Sequence, residues 1–355
     1  MKNSALSTEV TMYSDEDQQN YEDWMASLPE ELWDVPLSSL AIPGSHDAMS
    51  YSLDINSPLI RSESDTFRLL DGIFYCLTRP AIYRWSTTQE KGIVEQLSEG
   101  IRYFDLRIAH KPYDPSNELY FTHVIYTHLT VVETLWAIAS WLESHSKEVV
   151  ILACSHFEGL TEKLHEHLIF SLKKIFGSKL CPRKETVVTL RGLWALGYQV
   201  LLSYDDQSAA RHQVLWPGIP YWWANQNTAS GVVSYLDWQK DMGRPDGFFV
   251  SGLNLTADRS YIALHPHQSL QTLTLANWKE LRPWLEEQIY LIMDFYDGAQ
   301  QSVWDLKVPQ DIQHILLLVH SLWVADVSHM DYQVLGTEQG ERTLSIQQYV
   351  DTPSN

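Results

Sequence analysis

Short, continuously apolar runs recur along this chain, at residues 39–43, 101–108, 118–126, 149–157, 199–205, 247–255 and 290–296. A strand with one wetted face alternates apolar and polar residues, whereas a strand covered on both faces is apolar throughout. Runs of the second kind predict a parallel sheet buried under helices. Helical periods with recognisable ends lie between them. Thr130 and Glu133 form a capping box ahead of Val131, Leu135, Ile138, Ala139 and Leu142. Thr161 opens a second helix, with Leu164, Leu168, Leu172 and Ile175 on one stripe and Gly177 closing it. Thr87 with Glu90 predicts a third, running through Ile93 and Leu97 to Gly100. Repeated strand–helix units without a Gly-rich phosphate loop favour an α/β fold of the single-domain TIM-type (β/α) barrel over a doubly wound sheet. The barrel is expected over residues 22–300, after an acidic mobile arm at 1–21. Residues 301–355 read as a divergent ending: an amphipathic helix on Ile312, Ile315, Leu316, Val319, Leu322 and Trp323, then a loose polar tail.

Charge narrows the function classes. At −20 the chain has no basic field to attract nucleic acid, or an anionic membrane over long range. Any lipid contact must then use local Lys and Arg or exposed aromatic surface. No Lys or Arg falls between Lys2 and Arg61, which a signal or transit peptide would need. The longest apolar run, residues 315–327, is interrupted by His320 and Asp326 and too short for a transmembrane segment. Cys76, Cys154 and Cys181 are scattered, as in a reducing compartment. A cytoplasmic protein is expected, and the glycosylation match at Asn254-Leu255-Thr256 is then empty.

Reactive side chains of a barrel belong at the C-terminal ends of its strands. Four predicted strand ends carry them: Ile42-Pro43-Gly44-Ser45-His46-Asp47; the run from Gly100 to Arg107; Phe121-Thr122-His123; and Met293-Asp294-Phe295. Alternation puts Asp105 and Arg107 on one face of their strand. A lone buried histidine is most often structural, and a single Asp or Arg in a loop most often caps a helix. Two histidines, an arginine and carboxylates on one rim are a different matter. Together they supply a base for an attacking hydroxyl, an acid for a leaving oxygen and a guanidinium for anionic oxygens, which is a kit for phosphoryl transfer.

The run from Ile42 to Asp47, with Trp85, Gln89 and Gln96-Leu97 leading into residues 100–107 and His123, resembles the X domain of phosphatidylinositol-specific phospholipases C. The whole chain is similar to the small X-domain-containing proteins, notably at Leu32-Trp33-Asp34-Val35-Pro36-Leu37 and Leu215-Trp216-Pro217-Gly218. The resemblance implies a distorted TIM-type barrel and a phospholipid substrate met at a membrane surface. By position it implies a general base at His46 and a general acid at His123, with Arg107 and Asp47 binding and polarising the phosphate. Asp294 would hydrogen-bond His46, and Asp105 would orient Arg107. Calcium-dependent relatives carry further carboxylates here, whereas this chain has Asp105-Leu106-Arg107 and Ser155. Arg107 standing in a metal ligand's place implies no metal and no other cofactor.

Other residues weigh less. Tyr204 is a candidate for inositol hydroxyls. The tract Trp216, Tyr221, Trp222 and Trp223 reads either as core packing or as an interfacial surface, with Trp223 a candidate substrate contact. His128 competes weakly with His123, His165 and His167 do not share a helix face, and His265-Pro266-His267 reads as a surface loop. Three classes stand: a phosphoinositide phosphodiesterase, a catalytically weak head-group-binding barrel, and a metal-dependent glycerophosphodiesterase, which needs a carboxylate where Arg107 stands.

Overall fold

Ten strands form one sheet in this computed structural model, which describes residues 21–183, 188–293 and 316–319. In chain order they are β1 (Ile42–Ser45), β2 (Tyr103–Ala109), β3 (Tyr120–His123), β4 (Ile125–Thr130), β5 (Val150–Glu158), β6 (Val200–Tyr204), β7 (Leu215–Trp216), β8 (Tyr221–Trp223), β9 (Val250–Gly252) and β10 (Leu316–Val319). The order across the sheet is β7-β6-β5-β2-β1-β10-β9-β8, with the β3–β4 hairpin hung from β2. Along that path every pair is parallel except those made by β10, which runs against both β1 and β9.

Eight strands about 4.8 Å apart would span roughly 34 Å if laid flat. Yet β7 and β8 stand at opposite ends of the order, and only residues 217–220 separate them, a reach of about 18 Å at most. The sheet must therefore curl. Trp216 of β7 accordingly packs 6.5 Å from Phe248, just before β9. Ile42, Tyr103, Ile151, Leu201 and Val250 share one interior cluster, stoppered by Trp24, Met25 and Leu28. Their strand neighbours Phe104, Leu106, Leu152 and Leu202 face the other way, into the layer under the helices. This is the expected α/β arrangement of TIM type, although no strand pairing joins β7 to β8 among the described residues.

The helices are α1 (Asp65–Ile73), α2 (Tyr75–Ser86), α3 (Ile93–Ser98), α4 (Val131–Ser144), α5 (Glu162–Phe176), α6 (Leu190–Leu196), α7 (Ala229–Met242), α8 (Arg259–Leu264) and α9 (Leu270–Met293). The Thr130–Glu133 box forms as expected, the Glu133 carboxylate accepting from the Thr130 N–H at 2.8 Å. Thr161 caps α5, and Gly177 ends it at φ 49°. No helix among the described residues is long and apolar enough to cross a membrane.

Four expectations need correction. The third helix starts not at Thr87 but after Gly92, where Glu95 accepts the N–H. Thr88 and Gln89 are held elsewhere, both amides donating to Ser50 Oγ at 2.9 Å. The run 118–126 is a hairpin rather than one strand, because Val124 at φ 67° reverses the chain. Residues 290–293 end α9 instead of starting a strand, and Asp294 lies outside the described residues. Residues 316–319 are strand rather than amphipathic helix: β10 fills the gap between β1 and β9, whose inner backbone edges need partners.

Candidate active site

The chain leaves β1 through Asp47 at φ 44°, a left-handed turn that Asp tolerates better than most residues. The turn is pinned from both sides: Ala48 N–H donates to the Asp105 carbonyl at 3.0 Å, and Gln89 Nε2 donates to the His46 carbonyl at 3.0 Å. His46 and Asp47 are thereby set against β2, where alternation aims Asp105 and Arg107 at the same interior. His46 Nδ1 lies 3.1 Å from Asp105 Oδ2, and its Nε2 3.1 Å from Asp47 Oδ2. Arg107 Nε lies 2.8 Å from Asp47 Oδ1 and 3.3 Å from Asp105 Oδ2. His123, at the end of β3, brings Nε2 to 3.4 Å from Asp47 Oδ2, the oxygen that His46 also faces. The two imidazoles meet edge to face with centroids 6.1 Å apart.

Hydrogen bonds assign the protons. His123 Nδ1 lies 2.7 Å from the Ser86 carbonyl, which can only accept, so Nδ1 carries hydrogen and Nε2 faces Asp47. An anionic Asp105 places the His46 proton on Nδ1 in the same way, leaving Nε2 turned to the interior. Burial disfavours the charge on Asp105, but Arg107 and the bond from His46 outweigh it and hold the carboxyl well below its usual range. Burial also pushes the His123 imidazole down; Asp47 opposes this, and Arg107 and His46 reinforce it. Asp47 is buried, and its oxygens make ion-pair contacts without a well-directed hydrogen bond, so charge rather than fork geometry keeps it there.

Of the residues expected here, His46, Asp47, Asp105, Arg107 and His123 come together. Tyr204 does not. It shares the outward face of β6 with Leu202, and its hydroxyl lies 2.7 Å from His165 Nδ1 under α5. Trp223 is 49% exposed, with Nε1 donating to Thr256 Oγ1 at 2.8 Å. It shares a face of β8 with Tyr221, one step nearer the strand end. Among the described residues the carboxylate at His46 Nδ1 is that of Asp105. Three neighbours were not singled out as site residues. The Tyr221 ring is 6.2 Å from His46, and its hydroxyl donates to Asn254 Oδ1 at 2.6 Å. Ser155 Oγ stands 2.8 Å from His156 Nδ1 and 3.5 Å from Asp105 Oδ1. Alternation along β5 and β8 was the available signal for Ser155 and Tyr221. His156 sits at φ 49°, which nothing in the sequence announces.

Among the described residues, His46, Asp47 and Asp105 offer donor atoms within 4.8 Å of one another, a spacing that suits a cation. Arg107 already contacts both carboxylates, and its charge opposes a second cation in the same space.

Residues 81–205 match the family model "Phosphatidylinositol-specific phospholipase C, X domain". The chain is 50% identical over 268 residues to the human PI-PLC X domain-containing protein 1, covering 75% of this chain and 83% of that one. It is 38% identical over 273 residues to the Danio rerio PI-PLC X domain-containing protein 3, covering 76% of this chain and 84% of that one. Among solved structures, the phosphatidylinositol-specific phospholipase C from Listeria monocytogenes aligns with a TM-score of 0.48 at 20% identity, over 72% of this chain and 88% of its own. The chain belongs to the family of PI-PLC X domain-containing proteins.

Proposed function

We propose that this chain is a phosphodiesterase of the phosphatidylinositol-specific phospholipase C type, acting on a phosphoinositide-like lipid without a metal ion. The observation that carries the reading is the convergence of His46 Nε2 and His123 Nε2 on one Asp47 oxygen, with Arg107 beside it. Two imidazoles so placed flank a single phosphorus centre from two sides. His46 Nε2 takes the proton of the inositol 2-hydroxyl, whose oxygen forms a bond to phosphorus. The bond from phosphorus to the diacylglycerol oxygen breaks, and His123, entering the step as the imidazolium that Asp47 supports, gives its Nε2 proton to that oxygen. The product is a cyclic inositol phosphate, which water opens with the two histidines exchanging roles. Asp47 contacts both rings, so its charge compensates whichever one is protonated. Arg107 holds the phosphate oxygens and supplies the charge that a metal would otherwise supply. Trp223 and Tyr221 line the approach on which the inositol ring would stand.

The test is release of cyclic inositol phosphate from phosphatidylinositol vesicles by purified protein, with and without chelator. Wild type keeps its rate in chelator, and His46→Ala and His123→Ala each lose about 10²–10⁴-fold. Head-group binding with no turnover would move the chain to a binding role. Activity abolished by chelator and restored by calcium would remove Arg107 from its metal-replacing role and return Asp47 and Asp105 to metal ligation.

A further inference from the structure

Helix α1 and the first turn of α2 reverse the ordinary distribution of side chains, while the later part of α2 buries Ile82 and Trp85. Leu69, Leu70, Ile73, Phe74, Tyr75 and Leu77 are exposed by 39% to 76%. The only buried residue of α1 is Asp71, and it pairs with the buried Arg79 of α2. Arg79 Nε stands 2.9 Å from both Asp71 oxygens, and its Nη1 donates to the carbonyls of Ser57 and Ile55. Thr78 Oγ1 adds a bond to Asp71 at 2.8 Å. The charged pair ties the hairpin to the body while the apolar side chains face out. A contiguous apolar surface of this kind is unfavourable in water and marks an interaction site.

Charge and position select the occupant. The hairpin, residues 65–86, carries Arg68, Arg79 and Arg84 against Asp65 and Asp71, a small positive excess in a chain of net charge −20. The apolar patch thus coincides with one of the few stretches that an anionic surface does not repel. The hairpin also runs into the candidate site: α2 ends at Ser86, whose carbonyl holds His123 Nδ1 at 2.7 Å. A scissile bond at the head-group level of a bilayer is reached only by pressing the rim of the site to the lipid. Apolar side chains of an interfacial helix sink about 5–10 Å at that boundary.

We infer that the α1–α2 hairpin is the membrane-docking surface of this protein, entering the head-group region of a phospholipid bilayer through Leu69, Leu70, Ile73, Phe74 and Leu77. The choice of lipid rests on the phosphodiesterase reading; the exposed surface itself does not. Cys76 is exposed within the patch, whereas Cys154 and Cys181 are buried, so a polarity-sensitive fluorophore on Cys76 reports insertion. The full chain should co-sediment with phosphatidylcholine vesicles containing phosphatidylinositol, and the label should shift to the blue. Substituting Ile73→Ser, Phe74→Ser and Leu77→Ser together should weaken vesicle binding more than about tenfold. Turnover of a monomeric short-chain phosphatidylinositol should stay within about twofold. A triple variant that still co-sediments, or a wild-type label that does not respond to vesicles, overturns the proposal. So does a wild-type dimer that the substitutions convert to monomer while vesicles are ignored, which would make the patch an interface between copies. Binding and fluorescence need no turnover. A protein that docks but does not hydrolyse therefore fails the phosphodiesterase reading and keeps this one.

Discussion

Asp105 accepts from three donors at once: His46 Nδ1 at 3.1 Å, the Asp47 N–H at 3.2 Å and Arg107 Nε at 3.3 Å. All three reach the same oxygen, Oδ2, so an amide could keep its own oxygen there but would lose the negative charge that Arg107 and a protonated His46 face. Asp105→Asn should therefore lower kcat by about 10²–10⁴-fold, chiefly by removing the charge that supports His46 once it has taken the proton, while KM changes little. Steady-state kinetics on the lipid turned over by wild type measure this, and a kcat near wild type would remove Asp105 from the support of His46. Ser155→Ala, which gives up a contact of 3.5 Å, serves as the mild comparison. The sequence had already put Asp105 and Arg107 on one face, because alternation along a strand is fixed by its pleat. The same parity, carried to β6, would have turned Tyr204 outward with Leu202. Asp294 was attached to an apolar run that suits a strand and a buried helix end equally.

At the level of elements, runs bounded by polar turns were legible, and those read without their neighbours were not. The strand at residues 316–319 sits in a sequence whose apolar spacing also fits a helix; only the open edges of β1 and β9 decide between them. The α1–α2 hairpin escaped a reading that assigns apolar faces to the interior, since here the apolar face is the outer one. The tract at residues 216–223, open in the sequence to core packing or an interfacial surface, divides: Trp222 is buried and Trp216 packs on Phe248, while Trp223 is exposed. Nor does pattern reveal the clamp at the opposite mouth of the barrel. There Arg102 and Glu148 are fully buried, with Nη2 and Oε2 2.8 Å apart. Arg102 donates to the Glu22 and Tyr21 carbonyls at 2.6 and 3.3 Å, and Glu148 accepts from the Ala26 and Met25 amides at 3.1 and 3.4 Å. The pair holds the segment that stoppers the core. Removing one charge strands the other, so Glu148→Gln should destabilise by about 3–5 kcal/mol, whereas Arg102→Met with Glu148→Leu should cost less than the single change. Urea unfolding midpoints test both; a single variant within about 1 kcal/mol of wild type would deny the clamp its role.

Over the whole molecule, acid acts on stability through two opposed effects. Burial is the first cause that holds His123 and His165 below the usual histidine range. Asp47 opposes it at His123, where Arg107 and His46 reinforce it; Asp206 opposes it at His165, where Arg211 reinforces it. Between pH 6.5 and their depressed values, the unfolded chain binds protons that the folded chain refuses. Stability then falls as pH falls, by up to about 1.4 kcal/mol per pH unit for each such proton. Asp105 adds the same sign at more acid pH, and Glu148, raised by burial, subtracts there. Against this, acid relieves the self-repulsion of a chain carrying −20. That repulsion acts between surface charges and is screened over about 8 Å at physiological ionic strength, whereas the buried histidines feel little screening. The buried groups should prevail in salt. The denaturant midpoint should drop between about pH 7.5 and 5.5 at 0.15 M salt, and drop less at low salt, where relief of the repulsion counts for more. A midpoint that rises on acidification at 0.15 M salt would mean that net charge, and not the buried histidines, governs the acid limb.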